Sequence, residues 1–316
     1  MDVDTGTDDS IAIMLAVLSK KFDILGISVT WGNQEVEYCV ANTLRVLDFL
    51  DSDIPVYQGC HEPMVLDLDE KRVEGHIGDV IAYFDEKGKE HHLHPKKLPF
   101  KNSKRKVEDK HAVSFLVDTL MHAKDKITLV PVGPCTNIGM ALRMEPRIAE
   151  HIEEIVFMGG SDDMGNVTKT AEANFWHDPE AVKIILKSKV KCVIASLNAT
   201  TSVPLTIDDV EVLEKLKTKY AKKAAEIVRL RMDVSKHLGW SDGNIETVHD
   251  PLAIAYLLDE KVASDILRCD GDIVLGGKKD GTLILKENNE GSVYFIRKAD
   301  KDRYFDIWKR CLGQDA

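Results

Sequence analysis

Apolar runs rich in β-branched residues alternate with amphipathic stretches along most of this chain, and this alternation restricts its possible folds more than any other feature. Four of these runs have the composition of strands that are buried on both faces of a parallel sheet. They are FDILGISVTWG, ITLVPVG, EEIVFMGG and VKCVIASL. The stretches between them, among them CTNIGMALRMEPRIAEHI and PEAVKIILKS, have the apolar spacing of helices. Strand followed by helix, repeated, predicts βαβ units in an open, mostly parallel, doubly wound α/β sheet.

The length of the chain is compatible with one large domain that spans residues 1–316. A long polar segment over 59–110, with a Lys/His-rich tract over 87–110, is expected to lie beside or over a functional site. A solvated insertion without a role is an equally good interpretation of its Lys-rich part. Beyond it, a strongly helical region is predicted over about 205–245.

Charge and composition exclude several classes of partner. The formal net charge of -11 gives the surface a negative field that repels phosphate backbones, so nucleic acid is not an expected partner. No apolar run reaches the length that crosses a bilayer, and the N-terminus lacks the layout of a secretory signal. The six cysteines are scattered singly, which favours reduced thiols. We therefore predict a cytoplasmic protein that binds neither nucleic acid nor a membrane.

Four carboxylates lie within the first nine residues, directly ahead of an apolar run. They belong to Asp2, Asp4, Asp8 and Asp9 in the stretch DVDTGTDD. An acidic helix start would account for Asp8 and Asp9, but it leaves the other two unexplained. Ligands of parallel sheets bind where a strand turns into a helix, and carboxylates that converge there need a cation. The all-oxygen donor set favours Ca²⁺ or Mg²⁺, and Gly6 lets the turn bend tightly.

A second acidic position is a candidate partner for this cluster. In TVHDPLAIAYLLD, His249 and Asp250 precede Pro251, which fits the first turn of an apolar helix. An ordinary Asp N-cap is the alternative interpretation of Asp250. A cation coordinated by one loop alone would be weakly held, so we expect Asp250 to complete the site.

Blocks along nearly the whole chain resemble the inosine-uridine-preferring nucleoside hydrolase family. DVDTGTDD is similar to the family's N-terminal DxDxGxDD signature. The further blocks follow in the family's order, and they are WGN at 31–33, PVGPCTNIGMALRMEPRI at 131–148, VFMGG at 156–160, GNVTKTAEANFWHDPEA at 165–181 and VHDPLAIAYLLD at 248–259. The resemblance implies a Rossmann-like nucleoside hydrolase fold with mobile helices near the active site. It also implies calcium-dependent cleavage of the N-glycosidic bond of a ribonucleoside, which gives ribose and the free base.

The resemblance also implies roles for individual residues. Asp4, Asp9 and Asp250 would bind Ca²⁺ through their carboxylates, and Val132 through its main-chain carbonyl. The family usually has Thr where Val132 stands, but a backbone ligand survives that change. Asp4 would also be the general base. We choose His249 as the donor to the leaving base because imidazole titrates near neutrality and His249 adjoins a metal ligand, whereas a lone His is more often a satisfied core residue.

Substrate contacts are expected from several blocks. The ribose would be bound by Asp8, Asn33, Met158, Asn166, Glu172 and Asn174. Amide and carboxylate side chains in GNVTKTAEAN suit several hydroxyls, although such residues also satisfy turns, and Met158 is equally a core filler. The base would be contacted by His237 and Trp240 from the helical region and by His76 from the long loop, where a solvent-exposed His is the alternative.

Two alternative functions remain open at this level. A haloacid-dehalogenase-type phosphatase also begins with a DxD strand end and uses Mg²⁺, but Gly6 stands where that pattern needs Thr or Val. A non-catalytic homologue that binds nucleosides or metal is the second alternative. The resemblance further implies a nucleoside substrate and a homodimer or homotetramer, but not which base is preferred.

The start of the chain departs from the family pattern. The family normally has several apolar residues before the first aspartate, whereas Met1 here immediately precedes Asp2. We therefore expect the first strand to be nearly absent, the chain to be truncated or mis-started, and stability and full activity to suffer more than the fold.

Overall fold

The computed structural model describes residues 1–73 and 81–314, so the candidate His76 lies outside the described residues. The strands are β1 Asp2–Val3, β2 Ile27–Val29, β3 Val56–Gln58, β4 Ala82–Phe84, β5 Glu90–His92, β6 Ile127–Leu129, β7 Ile152–Met158, β8 Cys192–Ala195, β9 Leu205–Thr206, β10 Ile245–Glu246, β11 Ala263–Ile273, β12 Leu283–Glu287 and β13 Val293–Ala299. The helices are α1 Thr7–Leu18, α2 Val36–Phe49, α3 Glu70–Val73, α4 Ala112–His122, α5 Thr136–Met144, α6 Ala173–His177, α7 Pro179–Lys187, α8 Leu197–Thr201, α9 Ile207–Lys215, α10 Lys219–His237, α11 Pro251–Leu258 and α12 Lys301–Leu312.

A large open sheet forms the centre of the molecule, in the order β3-β2-β1-β6-β7-β8-β13-β11-β12. Its two halves meet at β1, where the Asp2 amide donates to the Val130 carbonyl at 3.0 Å and the Val132 amide donates to the Asp2 carbonyl at 2.9 Å. β11 runs antiparallel to β12 and β13, and the other described pairs of this sheet are parallel. The prediction of an open, mostly parallel α/β sheet is therefore confirmed.

The chain reverses its direction of winding at β1. From β1 it continues to β2 and β3 on one side, whereas β6, β7 and β8 build the other side. The connections that leave adjacent strands at such a point diverge, and a crevice opens at the carboxyl ends of the strands. The segments that follow β1, β2, β6 and β7 all reach this edge of the sheet.

The first strand is as short as the sequence predicts, with two residues in β1. It nevertheless pairs with β2 on one side and with the segment after β6 on the other. The helix that follows it, α1, buries eleven of its twelve residues, all but Val17. It packs against α2, α10, α11 and α12. The turn between β1 and α1 is consequently held from both ends.

One predicted helix is divided in the structure, and the predicted helical region consists of two helices. Residues 136–151 form α5 and then a 3₁₀ turn at Pro146–His151, with Glu145 in an extended conformation (φ -143°, ψ 90°) between them. Proline disfavours helical geometry in the residue before it, which explains the break. The predicted helical region over about 205–245 consists of α9 and α10. Its two ends are held together because β9 pairs antiparallel with β10.

Candidate active site

Three buried carboxylates converge at the crevice. Asp8 and Asp9 lie in the first turn of α1, and Asp250 lies directly before α11. One oxygen from each of these three residues lies within 4.8 Å of the other two. Two segments that are more than 200 residues apart in the chain thus bring their carboxylates to one point.

The turn DVDTGTDD is organised by Asp9. One Asp9 oxygen accepts from the Asp4 amide at 3.0 Å, and the other accepts from the Gly6 amide at 2.9 Å. Gly6 has ordinary extended dihedrals (φ -99°, ψ -153°), so the turn does not need glycine for its bend. A Cβ at Gly6 would instead collide with the side chains of His94 and Asn33. The prediction that Gly6 serves tight bending is wrong, because its role is to permit this close approach.

Asp4 lies beside the cluster and is enclosed by backbone. Its Oδ2 accepts from the Asn33 amide at 2.7 Å, and the Asn33 side-chain amide donates to the Asp4 carbonyl at 3.2 Å and to Asp9 Oδ2 at 3.1 Å. Side chains at Gly32 or Gly133 would collide with the Asp4 carboxylate. Its Oδ1 is buried and has no hydrogen-bond partner among the described residues.

Asp250 occupies the N-cap position of α11, with Pro251 as the first helical residue, yet its side chain makes no capping hydrogen bond. The interpretation of Asp250 as an ordinary N-cap is therefore wrong. The carboxylate is 3% exposed and shares the crevice with Asp8 and Asp9. A buried carboxylate that does not serve its own helix is free to bind a ligand.

Burial and mutual repulsion make this set of carboxylates difficult to ionise together. Burial, followed by the nearby carboxylates, raises the pKa of Asp4 and of Asp250 well above the ordinary value. The same causes raise the pKa of Asp9 to about 6. Burial, the largest single influence, opposes the charge of Asp8, but Arg231 together with His94 and His249 outweighs it, and the pKa of Asp8 is lowered. A hard divalent cation would compensate the excess negative charge, and the donors are all oxygen.

We expect the free energy of unfolding in the presence of a chelator to fall as the pH rises from the ordinary Asp value of 3.8 through the Asp9 value of about 6. The raised pKa values mean that the folded state binds more protons than the unfolded state in this window. For Asp9 alone the loss is on the order of 3 kcal/mol. Urea unfolding followed at several pH values measures it. Saturating Ca²⁺ should remove most of the loss, and parallel curves with Ca²⁺ and with chelator would contradict the account.

The candidate ribose contacts after β6 and β7 form a connected group. The Asn174 side-chain amide donates to the Val132 carbonyl at 2.8 Å, to the Met158 carbonyl at 3.1 Å and to the Met158 sulfur at 3.4 Å. Met158 is buried at the end of β7. The Val132 carbonyl, the candidate backbone ligand, thus lies at the same edge of the sheet as Asp4.

Glu172 and Asn166 make hydrogen bonds that organise their own loop. Glu172 accepts from the amides of Gly160 at 2.7 Å, Asn174 at 2.9 Å and Phe175 at 3.2 Å. Burial raises the pKa of Glu172 to about 7. Asn166 is exposed, and its side-chain oxygen accepts from the Ala173 amide at 2.9 Å. Their roles as ribose ligands stay predictions.

His249 lies next to the carboxylates. Its Nδ1 is 2.9 Å from the Thr200 hydroxyl, and that hydroxyl is 3.1 Å from the Leu197 carbonyl. Burial lowers the pKa of His249 to about 4, although the charge of Asp8 acts in the opposite direction. The imidazole is therefore held in a fixed orientation beside Asp8.

The candidate base contacts in the helical region, His237 and Trp240, are both exposed. The His237 ring stacks on Tyr83 with ring centroids 4.0 Å apart, and its Nδ1 is 2.8 Å from the Asp233 carbonyl. Trp240 is 60% exposed. In the part of the chain that the structure describes, no hydrogen bond links either side chain to the carboxylates, so both assignments stay predictions.

Arg231 and His94 lie at the site, but the sequence interpretation did not include them. Arg231 in α10 is 2% exposed, and its guanidinium lies 3.6 Å from Asp8 Oδ1 and 3.3 Å from Glu246. It also donates to the Thr7 hydroxyl at 2.8 Å. His94 lies 3.6 Å from Asp8 Oδ1. Neither residue has a local sequence signal, because Arg231 belongs to a helix rich in basic residues and His94 to the Lys/His-rich tract.

Comparisons with known proteins give a consistent result. The family model described as "Inosine-uridine preferring nucleoside hydrolase" matches residues 1–306. The pyrimidine-specific ribonucleoside hydrolase RihB of Escherichia coli strain SE11 is 34% identical over 261 residues, which cover 82% of this chain and 77% of the relative.

Solved structures agree with this match. A purine-preferring ribonucleoside hydrolase from Gardnerella vaginalis superposes with a TM-score of 0.83 at 28% identity, covering 99% of this chain and 96% of its own. The plant nucleoside hydrolase PpNRh1 superposes with a TM-score of 0.85 at 24% identity, covering 99% of this chain and 98% of its own, and this likeness concerns the fold alone.

Proposed function

Because the chain belongs to the inosine-uridine preferring nucleoside hydrolase family, we propose that it hydrolyses the N-glycosidic bond of ribonucleosides to ribose and free base, with a bound calcium ion. The observation that carries the proposal is the convergence of buried carboxylates at the crevice. The relatives named above are nucleoside hydrolases, which favours this reaction over that of a phosphatase. Their base preferences differ, so none is assigned to this chain.

The residues present fit a divalent cation. Asp4, Asp9, Asp250 and the Val132 carbonyl would hold it, since within residues 1–73 and 81–314 Asp4 Oδ1 is buried without a partner and the Asp250 side chain makes no capping hydrogen bond. Asp8 is also close enough to be a ligand, but Arg231 already compensates its charge, and we assign it to the sugar. When bound, such a cation supplies an orientation for the ribose diol and lowers the pKa of a coordinated water.

The chain's own residues would carry the remaining steps. Asp4 would take the proton of the attacking water, which suits a carboxylate whose pKa burial raises well above the ordinary range. Cleavage of the bond from C1' to nitrogen places positive charge on the sugar, and the surrounding carboxylates stabilise that charge. His249, held by Thr200, is proposed as the donor to the leaving base, a role that requires the ring to be protonated at Nε2 as well as at Nδ1.

A panel of purine and pyrimidine ribonucleosides, assayed for reducing sugar with chelator and with Ca²⁺, tests this function. We expect at least one ribonucleoside to release ribose, the chelator to abolish the release, and Ca²⁺ to restore it. Calorimetric binding of nucleosides without sugar release in Ca²⁺ would favour the non-catalytic alternative. The cytoplasmic location and the homodimer or homotetramer stay predictions.

A further inference from the structure

The segment Leu93–Pro95 is fastened to the candidate active site, although it belongs to a tract that reads as a solvated insertion. The Thr7 hydroxyl donates to the Leu93 carbonyl at 3.1 Å, and the Gln34 side chain donates to the His94 carbonyl at 2.8 Å. The Asn42 side chain donates to the Pro95 carbonyl at 3.4 Å. Leu93 itself is buried. Three successive carbonyls are thus held by side chains of the core, which fixes the position of His94.

The hydrogen bonds of the His94 ring define its tautomer. Its Nδ1 lies 3.3 Å from the Thr7 amide, which can only donate, so Nδ1 accepts. The Thr7 hydroxyl gives its own hydrogen to the Leu93 carbonyl and does not compete. A neutral imidazole whose Nδ1 accepts carries its hydrogen on Nε2. Among the described residues, no hydrogen-bond partner faces that Nε2 donor.

An acceptor without a partner lies beside the same ring. Asp8 Oδ1 is buried without a hydrogen-bond partner among the described residues, and it lies 3.6 Å from His94 Nδ1, too far for a hydrogen bond between the two. Asp8 is 5% exposed and His94 side-chain exposure is 13%. Asp8 Oδ1 and the Nε2–H of this ring thus each lack a partner among the described residues, and a bound hydroxyl would supply one to each.

His249, the other imidazole at this point, has the opposite tautomer. The Thr200 hydroxyl satisfies both of its neighbours only if it donates to the Leu197 carbonyl and accepts from His249 Nδ1. The hydrogen of neutral His249 is therefore on Nδ1, and its Nε2 is an acceptor. Of the two rings, His94 is the one whose Nε2 carries the hydrogen and whose ring lies 3.6 Å from Asp8 Oδ1.

We propose that His94 is a substrate-binding residue whose Nε2–H donates to a ribose hydroxyl, while Asp8 accepts the hydrogen of that same hydroxyl. A hydroxyl group is one donor and two acceptors, so the pair matches it in both directions. The inference rests on the proposed function, because it concerns the sugar of the same substrate. It adds a sugar contact from the Lys/His-rich tract, which neither the motifs nor the carboxylate cluster indicated.

Two conservative variants separate the two ring nitrogens. In His94→Gln the amide nitrogen can reach the place of Nε2, whereas in His94→Asn the side-chain oxygen can replace Nδ1 as the partner of the Thr7 amide. We expect His94→Asn and His94→Phe to lower kcat/KM for ribonucleosides by about 10- to 100-fold, and His94→Gln to retain most of it. If His94→Asn stays active and His94→Gln does not, His94 only fastens its segment, and the proposal is overturned.

Nucleosides that lack one ribose hydroxyl identify the contact. The 2'-, 3'- and 5'-deoxynucleosides serve as substrates or as competitive inhibitors. We expect His94→Phe to lower kcat/KM or inhibitor affinity for two of the three, and to leave it unchanged for the one that lacks the contacted hydroxyl. The same penalty on all three overturns the proposal. His92→Gln is the matched control, because His92 ends β5 two residues before His94, pairs with Glu90 at 3.1 Å and should leave kcat/KM unchanged.

The outcomes also distinguish this inference from the proposed function. A parent protein that hydrolyses no ribonucleoside in Ca²⁺ overturns both. A parent that is active while His94→Phe matches it in kcat/KM overturns the role of His94 alone. Should His94→Phe fail to fold, the comparison of His94→Gln with His94→Asn still decides the matter.

Discussion

Replacement of Asp4 by asparagine is expected to lower kcat by about 10²- to 10⁴-fold, which is the usual contribution of a general base. The amide has nearly the same shape as the carboxylate and can still accept from the Asn33 amide, a hydrogen bond that measures 2.7 Å in the parent. It cannot take a proton from water, so the chemical step should suffer far more than binding. Single-turnover rates and calorimetric ribose affinity, both measured in saturating Ca²⁺, separate the two effects.

Asp2→Asn is the matched control for Asp4→Asn. Asp2 is also a buried carboxylate with a raised pKa of about 6, but its hydrogen bonds go to Ser28 and Asn137, outside the candidate site. This variant is expected to keep the parent kcat. An unchanged kcat in Asp4→Asn would refute the assigned role of Asp4, and an equal loss in both variants would indicate general damage to the turn.

Replacement of Asp250 by asparagine is expected to weaken Ca²⁺ binding by at least about 100-fold, because one of three charged ligands is lost. The same change should raise the thermal stability of the chelator-treated protein, since it removes a buried carboxylate whose pKa the neighbouring acids raise. In the parent, Ca²⁺ at about 100 times its Kd adds about 2.7 kcal/mol to the free energy of unfolding. The variant should lose most of this increment at the same Ca²⁺ concentration, keeping at most about 0.4 kcal/mol.

Asp259→Asn provides the control at the other end of α11, where the carboxylate pairs with Arg303 at 3.1 Å on the surface. Calorimetry measures the Ca²⁺ affinity of each variant, and thermal melts with and without chelator measure its stability. An equal Ca²⁺ affinity in Asp250→Asn and the parent would contradict the assignment of Asp250 as a ligand.

The fold could be predicted because its strands and helices have strong local signals. The run VKCVIASL contains β8, and the amphipathic spacing of PEAVKIILKS corresponds to α7. The run CTNIGMALRMEPRIAEHI is predicted as one helix, although Pro146, which breaks it, is a local cause that the sequence displays. The antiparallel direction of β11 could not be predicted, because it depends on how distant segments pair and not on the residues of the strand.

The candidate site could be predicted only in part, for the same reason. The aspartates of DVDTGTDD and the HDP stretch stand at strand ends and helix starts, where parallel sheets place their ligands, so their convergence follows from the fold class. Arg231 and His94 reach the site through the packing of α10 and of a loop segment against α1. No periodicity or spacing carries that information, because nothing in the local sequence of α10 distinguishes the buried Arg231 from the exposed basic residues around it.

The central claim is that Asp4, Asp9 and Asp250 gather around one divalent cation whose remaining positions bind ribose. A crystal structure of the protein grown with Ca²⁺ and ribose tests it most directly. The account expects one ion about 2.3–2.6 Å from oxygens of these three side chains and the Val132 carbonyl, with sugar hydroxyls completing its coordination. A crevice that holds neither ion nor sugar at saturating concentrations of both would contradict it.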